Sequence, residues 1–363
     1  MKAYEKNIRK VEPYVPGEQP QHKVIKLNTN ENPYPPAPGV KQALMNMDVE
    51  RMRLYPDPTA GNLVHTLAEY YHLSDDQVFV GVGSDDVLAM CFLTFFNSDK
   101  PILFPDITYS FYKVWAELYR IPYECPALDE NFQIVKEDYY KENGGVIFAN
   151  PNAPTGICEN IEFVEDILKH NQDVIVIVDE AYIDFAGKSV VSLIDKYENL
   201  IVVQTFSKAR SMAGMRIGYA MANPVLIKYL NDAKYSFNSY TMNQPSIICG
   251  VESVKDKAYF EEQVQKIIDT REWTKNELHA LGFEFPDSKT NFILATHPKI
   301  SAKKLFEALK NENIYVRFLG GARIEEYLRI SIGTREEMET LVSFLKNYIS
   351  CEMSSVSING EQK

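Results

Sequence analysis

The residues best suited to chemistry stand close together in one stretch of the chain, residues 205–219. Lys208 carries an amine that can attack an aldehyde once desolvation lowers its pKa. Arg216 offers a planar fork of donors for a phosphate, and Thr205 and Ser207 add two hydroxyl groups. A reactive amine beside a phosphate site indicates bound pyridoxal phosphate. The alternative for this stretch is a solvated lysine and arginine in a loop of small residues.

An acid and a phenol stand in a second stretch. Asp179 comes directly after the apolar residues 174–178, and Tyr182 follows three residues later. Pyridoxal chemistry needs an acid beside the pyridine nitrogen, because a protonated ring withdraws electrons from the substrate carbanion. Asp179 is the candidate for that acid. The alternative is a helix cap in a strand-to-helix turn.

Two continuous apolar runs must position these side chains. Residues 174–178 (Val-Ile-Val-Ile-Val) and residues 200–203 (Leu-Ile-Val-Val) are typical of strands buried on both faces. The apolar spacing elsewhere predicts amphipathic helices, among them 84–96, 159–171 and 258–281. Buried strands with such helices indicate an α/β fold, whose sites lie at the carboxyl ends of the strands.

Composition and charge exclude several classes of protein. A chain of 363 residues with 45% hydrophobic residues can bury a large core and two domains. A net charge of −12 argues against binding to a nucleic-acid backbone, and no apolar run approaches a membrane span. Met1–Lys6 lacks the apolar core of a signal peptide, and the five cysteines are scattered without C-x-x-C spacing. We therefore expect a cytoplasmic protein that binds no nucleic acid, no membrane and no metal.

The chain resembles the aminotransferases among the fold-type I pyridoxal-phosphate enzymes. The resemblance is carried by Asp-Glu-Ala-Tyr at 179–182, Ser-Lys at 207–208 and Ala-Gly-Met-Arg-Ile-Gly-Tyr at 213–219. It extends from about Tyr14 to the last predicted helix, which is nearly the whole chain. It implies an α/β fold with a mostly parallel central sheet flanked by helices, a smaller α+β domain, pyridoxal 5′-phosphate as cofactor, and a homodimer.

The resemblance and the pattern of elements predict four parts of the chain. Residues 1–45 are expected to form an N-terminal arm and part of the small domain. Residues 46–275 are expected to form the large cofactor-binding domain, and residues 276–350 the small C-terminal domain. The polar residues 351–363 are expected to be a disordered tail.

Further cofactor contacts follow from the resemblance. In the family, the cofactor phosphate lies at the N-terminus of the helix that Ser84, as N-cap, and Asp85 open here, where backbone amides form an anion site. A tyrosine lies flat against the pyridine ring, and Tyr109 is the predicted residue, with Tyr112 as the alternative. A tyrosine of the other subunit reaches the phosphate, a role that falls on Tyr55 unless it only fills an interface or core.

The turn at 150–156 (Asn-Pro-Asn-Ala-Pro-Thr-Gly) departs from the family pattern. The family turn carries an asparagine that donates to the ring hydroxyl oxygen of the cofactor, and Ala153 stands at that position here. Either Asn152 makes this contact or the contact is lost, and we predict Asn152.

Two further residues are expected at the substrate. Arg329 lies in an otherwise apolar strand, so it needs an anionic partner if it is buried. The resemblance makes it the arginine that binds the substrate anion, and a structural salt bridge is the alternative. Asn30 lies in a segment that borders the substrate pocket in the family, although asparagine also favours local turns.

The resemblance therefore assigns three sets of residues, which overlap. The catalytic residues are Lys208, Asp179 and Tyr182. The cofactor-binding set adds to these three Asn152, Tyr109, Ser84, Asp85, Thr205, Ser207, Arg216 and Tyr55, and the substrate-binding set is Arg329, Asn30 and Tyr109.

Within the family, the resemblance is strongest to members that act on a phosphorylated amino alcohol in histidine biosynthesis. It implies 2-oxoglutarate and glutamate as the co-substrate pair. Transamination of aromatic amino acids and decarboxylation of a phosphorylated amino acid remain as alternatives on the same scaffold. A non-catalytic regulatory protein is the third alternative, and the presence of both Lys208 and Asp179 argues against it.

Overall fold

Two β-sheets organise the chain. In the computed structural model, which describes residues 2–360, one sheet has seven strands and the other has four. The strands in chain order are β1 (Ile25–Leu27), β2 (Val78–Gly81), β3 (Ile102–Leu103), β4 (Tyr123–Glu124), β5 (Gly145–Ala149), β6 (Val176–Asp179), β7 (Leu200–Thr205), β8 (Gly218–Ala222), β9 (Phe292–Ala295), β10 (Ile314–Phe318) and β11 (Leu328–Ser331).

The seven-stranded sheet has the order β2-β8-β7-β6-β5-β3-β4. All neighbouring pairs are parallel except those of β8, which runs antiparallel to both β2 and β7. The central strands β5, β6 and β7 are buried along their whole length. A parallel strand needs cover on both faces, which explains the apolar runs seen in the sequence.

Helices cover both faces of this sheet and the smaller one. They are α1 (Pro38–Met45), α2 (Gly61–Tyr71), α3 (Ser84–Phe95), α4 (Phe111–Tyr119), α5 (Ile161–His170), α6 (Pro224–Phe237), α7 (Gln244–Lys255), α8 (Lys257–Ala280), α9 (Ala302–Asn311) and α10 (Arg335–Gly360). One core cluster packs α2, α5 and α7 on one face of the large sheet, and another packs α3, α4 and α6 on the opposite face. None of the helices within residues 2–360 has the length and apolarity to cross a bilayer.

The four-stranded sheet has the order β1-β10-β11-β9 and forms its own core with α8, α9 and α10. Its first strand, β1, comes from the beginning of the chain and pairs in parallel with β10. Because of this pairing, the residues just after β1 lie near the end of the large sheet.

Two local predictions differ from the structure. Gly83, not Ser84, is the N-cap of α3, with φ of +86°, a region that glycine adopts without a steric penalty. The predicted disordered tail from residue 351 is wrong as far as Gly360, because α10 continues through it. Once the packed part of α10 has formed, each added residue gains a backbone hydrogen bond at little cost, and the tail contains no proline. Residues 361–363 of that predicted tail lie outside the described residues.

The close approach of β8 to the start of α3 gives a stability prediction. A Cβ on Gly218 would lie 2.2 Å from the Ser84 backbone nitrogen and 2.3 Å from the Gly83 carbonyl carbon. Since these are backbone atoms, Gly218→Ala should lower the free energy of unfolding by about 1–3 kcal/mol, as overpacking does. Gly214→Ala is the matched control, because nothing lies within 4 Å of its added Cβ. Chemical denaturation of both variants tests this, and equal stabilities would contradict it.

Candidate active site

Lys208 and Asp179 line one cleft of about 170 Å³. Asp179 is the last residue of β6, and Lys208 lies three residues beyond the end of the parallel neighbour β7. The cleft therefore lies at the carboxyl ends of the strands, where the sequence placed it. An amine and a carboxylate now face one shared space from adjacent strands.

Asp179 is buried and held at both carboxylate oxygens. The Tyr112 hydroxyl donates to Oδ2 at 2.8 Å, and the Ala181 backbone N–H donates to Oδ1 at 3.1 Å. Burial raises the pKa of Asp179 to about 6, although both hydrogen bonds act in the opposite direction. No cation within the described residues forms an ion pair with this carboxylate, although the Lys208 charge also acts to lower its pKa. Tyr112, which was the alternative to Tyr109 at the ring, instead orients the acid.

Lys208 is positioned by groups from distant parts of the chain. Its Nζ donates to the Thr29 carbonyl oxygen at 3.3 Å and lies 5.6 Å from the centre of the Tyr182 ring. Tyr182 also lines the cleft, and its hydroxyl accepts a hydrogen bond from Asn30 Nδ2 at 2.9 Å. No carboxylate among residues 2–360 forms an ion pair with this amine, which faces the cleft.

The other end of the cleft is built to receive an anion. Ser84 and Asp85, in the first turn of α3, line it together with Ser207 and Arg216. Gly83 has no side chain to accept from the first N–H groups of α3, which remain available to an anion. A Cβ on Gly83 would lie 2.5 Å from Arg216 Nη2, so the glycine makes room for the guanidinium.

Three side chains complete this end. Arg216 Nη2 lies 3.5 Å from Asp85 Oδ2, and the Tyr109 hydroxyl donates to Asp85 Oδ1 at 2.7 Å. Burial, together with the Asp85 charge, raises the pKa of Tyr109, so this phenol stays protonated as a donor. Tyr109 thus lines the cleft with its ring held beside α3, and its contact with the cofactor ring stays a prediction.

Thr205 does not reach the cleft. Its Oγ1 donates to Ser207 Oγ at 3.0 Å and accepts from the Ser207 backbone N–H at 3.1 Å. The prediction that Thr205 contacts the cofactor is corrected accordingly: the threonine is the last residue of β7, where its buried hydroxyl supports Ser207, and Ser207 is the residue that lines the cleft.

Asn152 is also directed away from the cleft. Its Nδ2 donates to the Ile107 carbonyl oxygen at 2.9 Å, and its Oδ1 accepts from the Thr108 hydroxyl at 2.8 Å. These contacts use the amide to join two loops, so the structure gives no support to the predicted contact of Asn152 with the cofactor. Ala153 lines the cleft in its place, and a methyl group cannot make the contact.

Asn30 supports the site without lining it. Its side chain donates to Tyr182 and accepts from the Ser331 hydroxyl at 2.9 Å, and its backbone adopts a φ of +57°. The predicted substrate contact of Asn30 is therefore corrected to a contact with Tyr182. Its neighbours Thr29 and Glu31 line the cleft instead, and the sequence analysis did not identify them. Because Asn30 is buried between the two sheets, the cleft is lined by Thr29 and Glu31 and not by Asn30.

Arg329 lines a second cavity, which adjoins the cleft along Tyr109 and Ala153. Its Nη2 donates to the Asn28 carbonyl oxygen at 3.0 Å, while its buried Nε has no hydrogen-bond partner. Arg317, which the sequence analysis missed, lines the same cavity and pairs directly with Arg329 across β10 and β11. Burial lowers the pKa of Arg329, and the Arg317 charge lowers it further.

The alternative role of Arg329, a structural salt bridge, is not found in the described part of the chain. Neither Arg317 nor Arg329 forms an ion pair with a carboxylate of residues 2–360. Two neighbouring arginines on one cavity, one of them with an unpaired buried nitrogen, are unfavourable unless an anion binds beside them. The pair therefore indicates a binding site for an anionic group.

Tyr55 lies apart from the cleft of its own chain. Its side chain is 81% exposed and stacks on Tyr240, with ring centroids 4.5 Å apart. A contact of Tyr55 with a cofactor phosphate would need a second subunit, so the predicted role stays a prediction.

The residues around the cleft fit pyridoxal phosphate. A free amine lies near a buried carboxylate whose raised pKa calls for a cationic partner such as a pyridinium. An arginine, a serine and the open N-terminus of α3 stand together at one end, as a phosphate requires.

Comparison with known proteins agrees with this geometry. The model of the aminotransferase class I and II family matches residues 22–345. The structure of a histidinol-phosphate aminotransferase from Sinorhizobium meliloti in complex with pyridoxal-5′-phosphate has a TM-score of 0.82 at 22% identity, covering 91% of this chain and 92% of that one. The predicted α/β fold of the fold-type I enzymes is thereby confirmed. The chain belongs to the aminotransferase class I and II family, and its cofactor is pyridoxal phosphate.

Comparison with curated relatives indicates members of the family that this chain is similar to in sequence. The chain is 51% identical to the histidinol-phosphate aminotransferase of Lactococcus lactis subsp. cremoris (strain SK11), over 96% of this chain and 98% of that protein. It is also 51% identical to the histidinol-phosphate aminotransferase of Clostridium botulinum (strain 657), over 96% of this chain and 99% of that protein. The resemblance recognised in the sequence is confirmed.

The raised pKa of Asp179 predicts how the stability of the cofactor-free protein depends on pH. The folded carboxyl keeps its proton up to about pH 6, whereas the unfolded one releases it near pH 3.8. The free energy of unfolding therefore falls as the pH rises from 3.8 to about 6, and it is level above pH 6. Asp179→Asn removes this cost and should raise the free energy of unfolding at pH 8 by on the order of 2–3 kcal/mol.

Urea unfolding of the cofactor-free wild type and of this variant, from pH 4 to pH 8, measures the effect. With saturating pyridoxal phosphate the wild type should be more stable than Asp179→Asn, because the ring nitrogen then supplies a cation beside the Asp179 carboxylate. A stability difference that does not change with pH would contradict the prediction.

Proposed function

We propose that this chain transfers the amino group of L-histidinol phosphate to 2-oxoglutarate, giving imidazole acetol phosphate and L-glutamate, as a reversible step of histidine biosynthesis. The observation that carries the proposal is the unpaired Arg317–Arg329 pair beside the cleft of Lys208. Two guanidinium groups suit a phosphate dianion, and charge-assisted fork contacts bind such a group strongly.

The residues of the cleft have separate tasks in this reaction. Pyridoxal phosphate, when bound, supplies an aldehyde for amines and a ring that withdraws electrons from the substrate carbon. Lys208 Nζ would hold the cofactor by its aldehyde and would move a proton to and from the substrate carbon. Asp179, oriented by Tyr112 and the Ala181 N–H, keeps a proton on the ring nitrogen.

The anion-binding groups orient both partners. Arg216, Ser207 and the N-terminus of α3 bind the cofactor phosphate and fix the ring relative to Lys208. Arg317 and Arg329 bind the substrate phosphate, or a carboxylate of glutamate, on the opposite side of Tyr109. Holding the substrate at its far end places its reacting carbon beside the amine, which favours reaction by orientation.

An assay with purified protein tests the proposed reaction. Incubation with histidinol phosphate and 2-oxoglutarate should yield glutamate, and Lys208→Ala should lower this rate at least about 10³-fold because it removes the group that carries the proton. Substantial transamination by the variant would contradict the assignment. Release of carbon dioxide from a phosphorylated amino acid without glutamate formation would favour the decarboxylase alternative.

The arginine pair predicts a specific loss of substrate binding. Arg329→Gln and Arg317→Gln should each raise the KM for histidinol phosphate about 10–100-fold, the range expected for a lost charge-assisted hydrogen bond. Arg335→Gln is the control, because Arg335 forms a surface ion pair with Glu339. Steady-state kinetics measures the effect, and an unchanged KM in both arginine variants would refute a phosphate site there.

The exposed apolar surface near Tyr55 supports a homodimer as part of the proposal. Tyr55 and Tyr240 stack on each other, and further exposed apolar side chains lie near each of them in the sequence. The residues are Leu44, Met45, Val49, Met52, Leu54, Tyr235 and Phe237. A patch of this kind is typical of a subunit interface. In a dimer built on it, Tyr55 would be placed to reach the partner's cofactor phosphate, as the family resemblance implies.

The dimer gives a further prediction. Light scattering after gel filtration should give twice the chain mass of 41.6 kDa, and Phe237→Asp should shift the protein toward monomer because it buries a charge in the interface. Tyr55→Phe should leave the dimer intact and weaken cofactor binding. Tyr4→Asp, at an exposed site of the N-terminal turn, is the control. A monomeric wild type would contradict the proposal.

A further inference from the structure

One carboxylate of the cleft has no role in the reaction described so far. Three carboxylates line the cleft, those of Glu31, Asp85 and Asp179. Asp179 is bound by Tyr112 and a backbone N–H, and Asp85 by Tyr109 and Arg216. Glu31 contacts Lys26 at Oε2 and lies within hydrogen-bond reach of Thr29. A carboxylate has about four acceptor positions, so Glu31 keeps acceptor capacity toward the cleft.

Glu31 is fixed relative to the reactive amine. Its neighbour Thr29 accepts from Lys208 Nζ at 3.3 Å through its carbonyl oxygen. On the other side, Asn32 Nδ2 donates to the carbonyl oxygens of Lys208 and Ala209 at 3.2 and 3.1 Å. The segment 29–32 is thus bound to the Lys208 loop at both ends, and Glu31 lies between the two anchors.

Glu31 is also an anion at neutral pH. Burial alone would raise its pKa, but the hydrogen bonds from Lys26 and Thr29 and the charges of Lys26 and Lys208 outweigh burial and lower the pKa. Its carboxylate is half-exposed to the cleft, with 41% of the side chain accessible. It can therefore accept a charge-assisted hydrogen bond from a bound molecule.

The proposed substrate leaves one donor without a partner. Its phosphate is bound by the arginine pair, and its amine reacts at the Lys208 position. The imidazole ring remains, and its N–H group loses water when it enters the cleft, so it needs an acceptor there. We propose that Glu31 accepts this hydrogen bond and determines specificity for a donor whose side chain carries a ring N–H. The inference rests on the function proposed above and names the group that recognises the ring.

A structural role for Glu31 is the competing explanation. The ion pair with Lys26 closes the turn between β1 and the site, and Lys26 Nζ also donates to the Thr29 hydroxyl at 2.6 Å. If this pair only holds the turn, loss of either partner should affect every reaction of the enzyme alike. If Glu31 recognises the ring, its loss should affect one half-reaction and not the other.

The experiment compares the two half-reactions of the holoenzyme. Stopped-flow absorbance of the cofactor follows amino transfer from histidinol phosphate and, separately, from L-glutamate, which has no ring N–H. Glu31→Ala should lower the apparent second-order rate constant for histidinol phosphate about 10–100-fold and change that for glutamate less than about threefold. Glu31→Gln, which keeps a neutral acceptor, should lose less with histidinol phosphate than the alanine variant does.

A second substrate sharpens the comparison. The phenyl analogue of histidinol phosphate, 2-amino-3-phenylpropyl phosphate, keeps the amine and phosphate but lacks the ring N–H. The wild type should prefer histidinol phosphate over this analogue, and Glu31→Ala should reduce that preference about 10-fold or more. Glu142→Gln is the matched control, because Glu142 forms a similar lysine pair on the surface, with Lys100.

The outcomes separate the two proposals. If the wild type is active and Glu31→Ala reacts at the same rates as the wild type, the role of Glu31 is overturned and the proposed function stands. Equal losses in both half-reactions, repeated by Lys26→Met, also overturn it and indicate a structural turn. A wild type that does not react with histidinol phosphate overturns both. A loss confined to histidinol phosphate, with unchanged glutamate rates and thermal stability, supports the proposal.

Discussion

The parallel pairing of β6 with β7 is the constraint on which the site depends. The register pairs Val176 with Leu200 and Asp179 with Val203, and both strands are buried along their length. A shift by one residue would turn each side chain to the opposite face, so the two cores that cover the sheet fix this register. Since parallel strands end at the same edge, the acid at the end of β6 and Lys208 beyond β7 must meet in one cleft.

A buried polar network behind the cleft holds these strand ends together. Glu180 follows Asp179, and its Oε2 accepts from Gln204 Nε2 at 2.8 Å. Gln204 Oε1 in turn accepts from the hydroxyls of Tyr71 and Tyr219 at 2.7 and 2.8 Å. Burial raises the pKa of Glu180 to about 7, yet its oxygens all have donors. A network in which every member is satisfied rigidifies its surroundings, so the reactive edge rests on a firm support.

The sequence predicted the sheet and the chemistry better than it predicted side-chain directions. Apolar β-branched runs mark β6 and β7 clearly, whereas β8, Gly-Tyr-Ala-Met-Ala, has no β-branched residue and was not predicted as a strand. Asn30 and Asn152 have suitable residue types for ligand contacts, but their amides face other loops because each is buried between segments distant in the chain. The sequence did not identify Arg317 as a site residue, because only the pairing of β10 with β11 places it opposite Arg329.

The segment 28–32 explains how two sheets can act on one substrate. It leaves β1 of the small sheet, and its Asn28 carbonyl oxygen accepts from Arg329, while the Thr29 carbonyl oxygen accepts from Lys208. An anion bound by the arginines therefore lies at a fixed distance from the amine on the large sheet. In the proposed function, a ligand of opposite charge would relieve the repulsion between the two arginines, so binding energy at the phosphate would be linked to the placement of the reacting carbon. A substrate without that anion would keep its amine but lose its orientation, which is why recognition far from the reacting atom can control the rate.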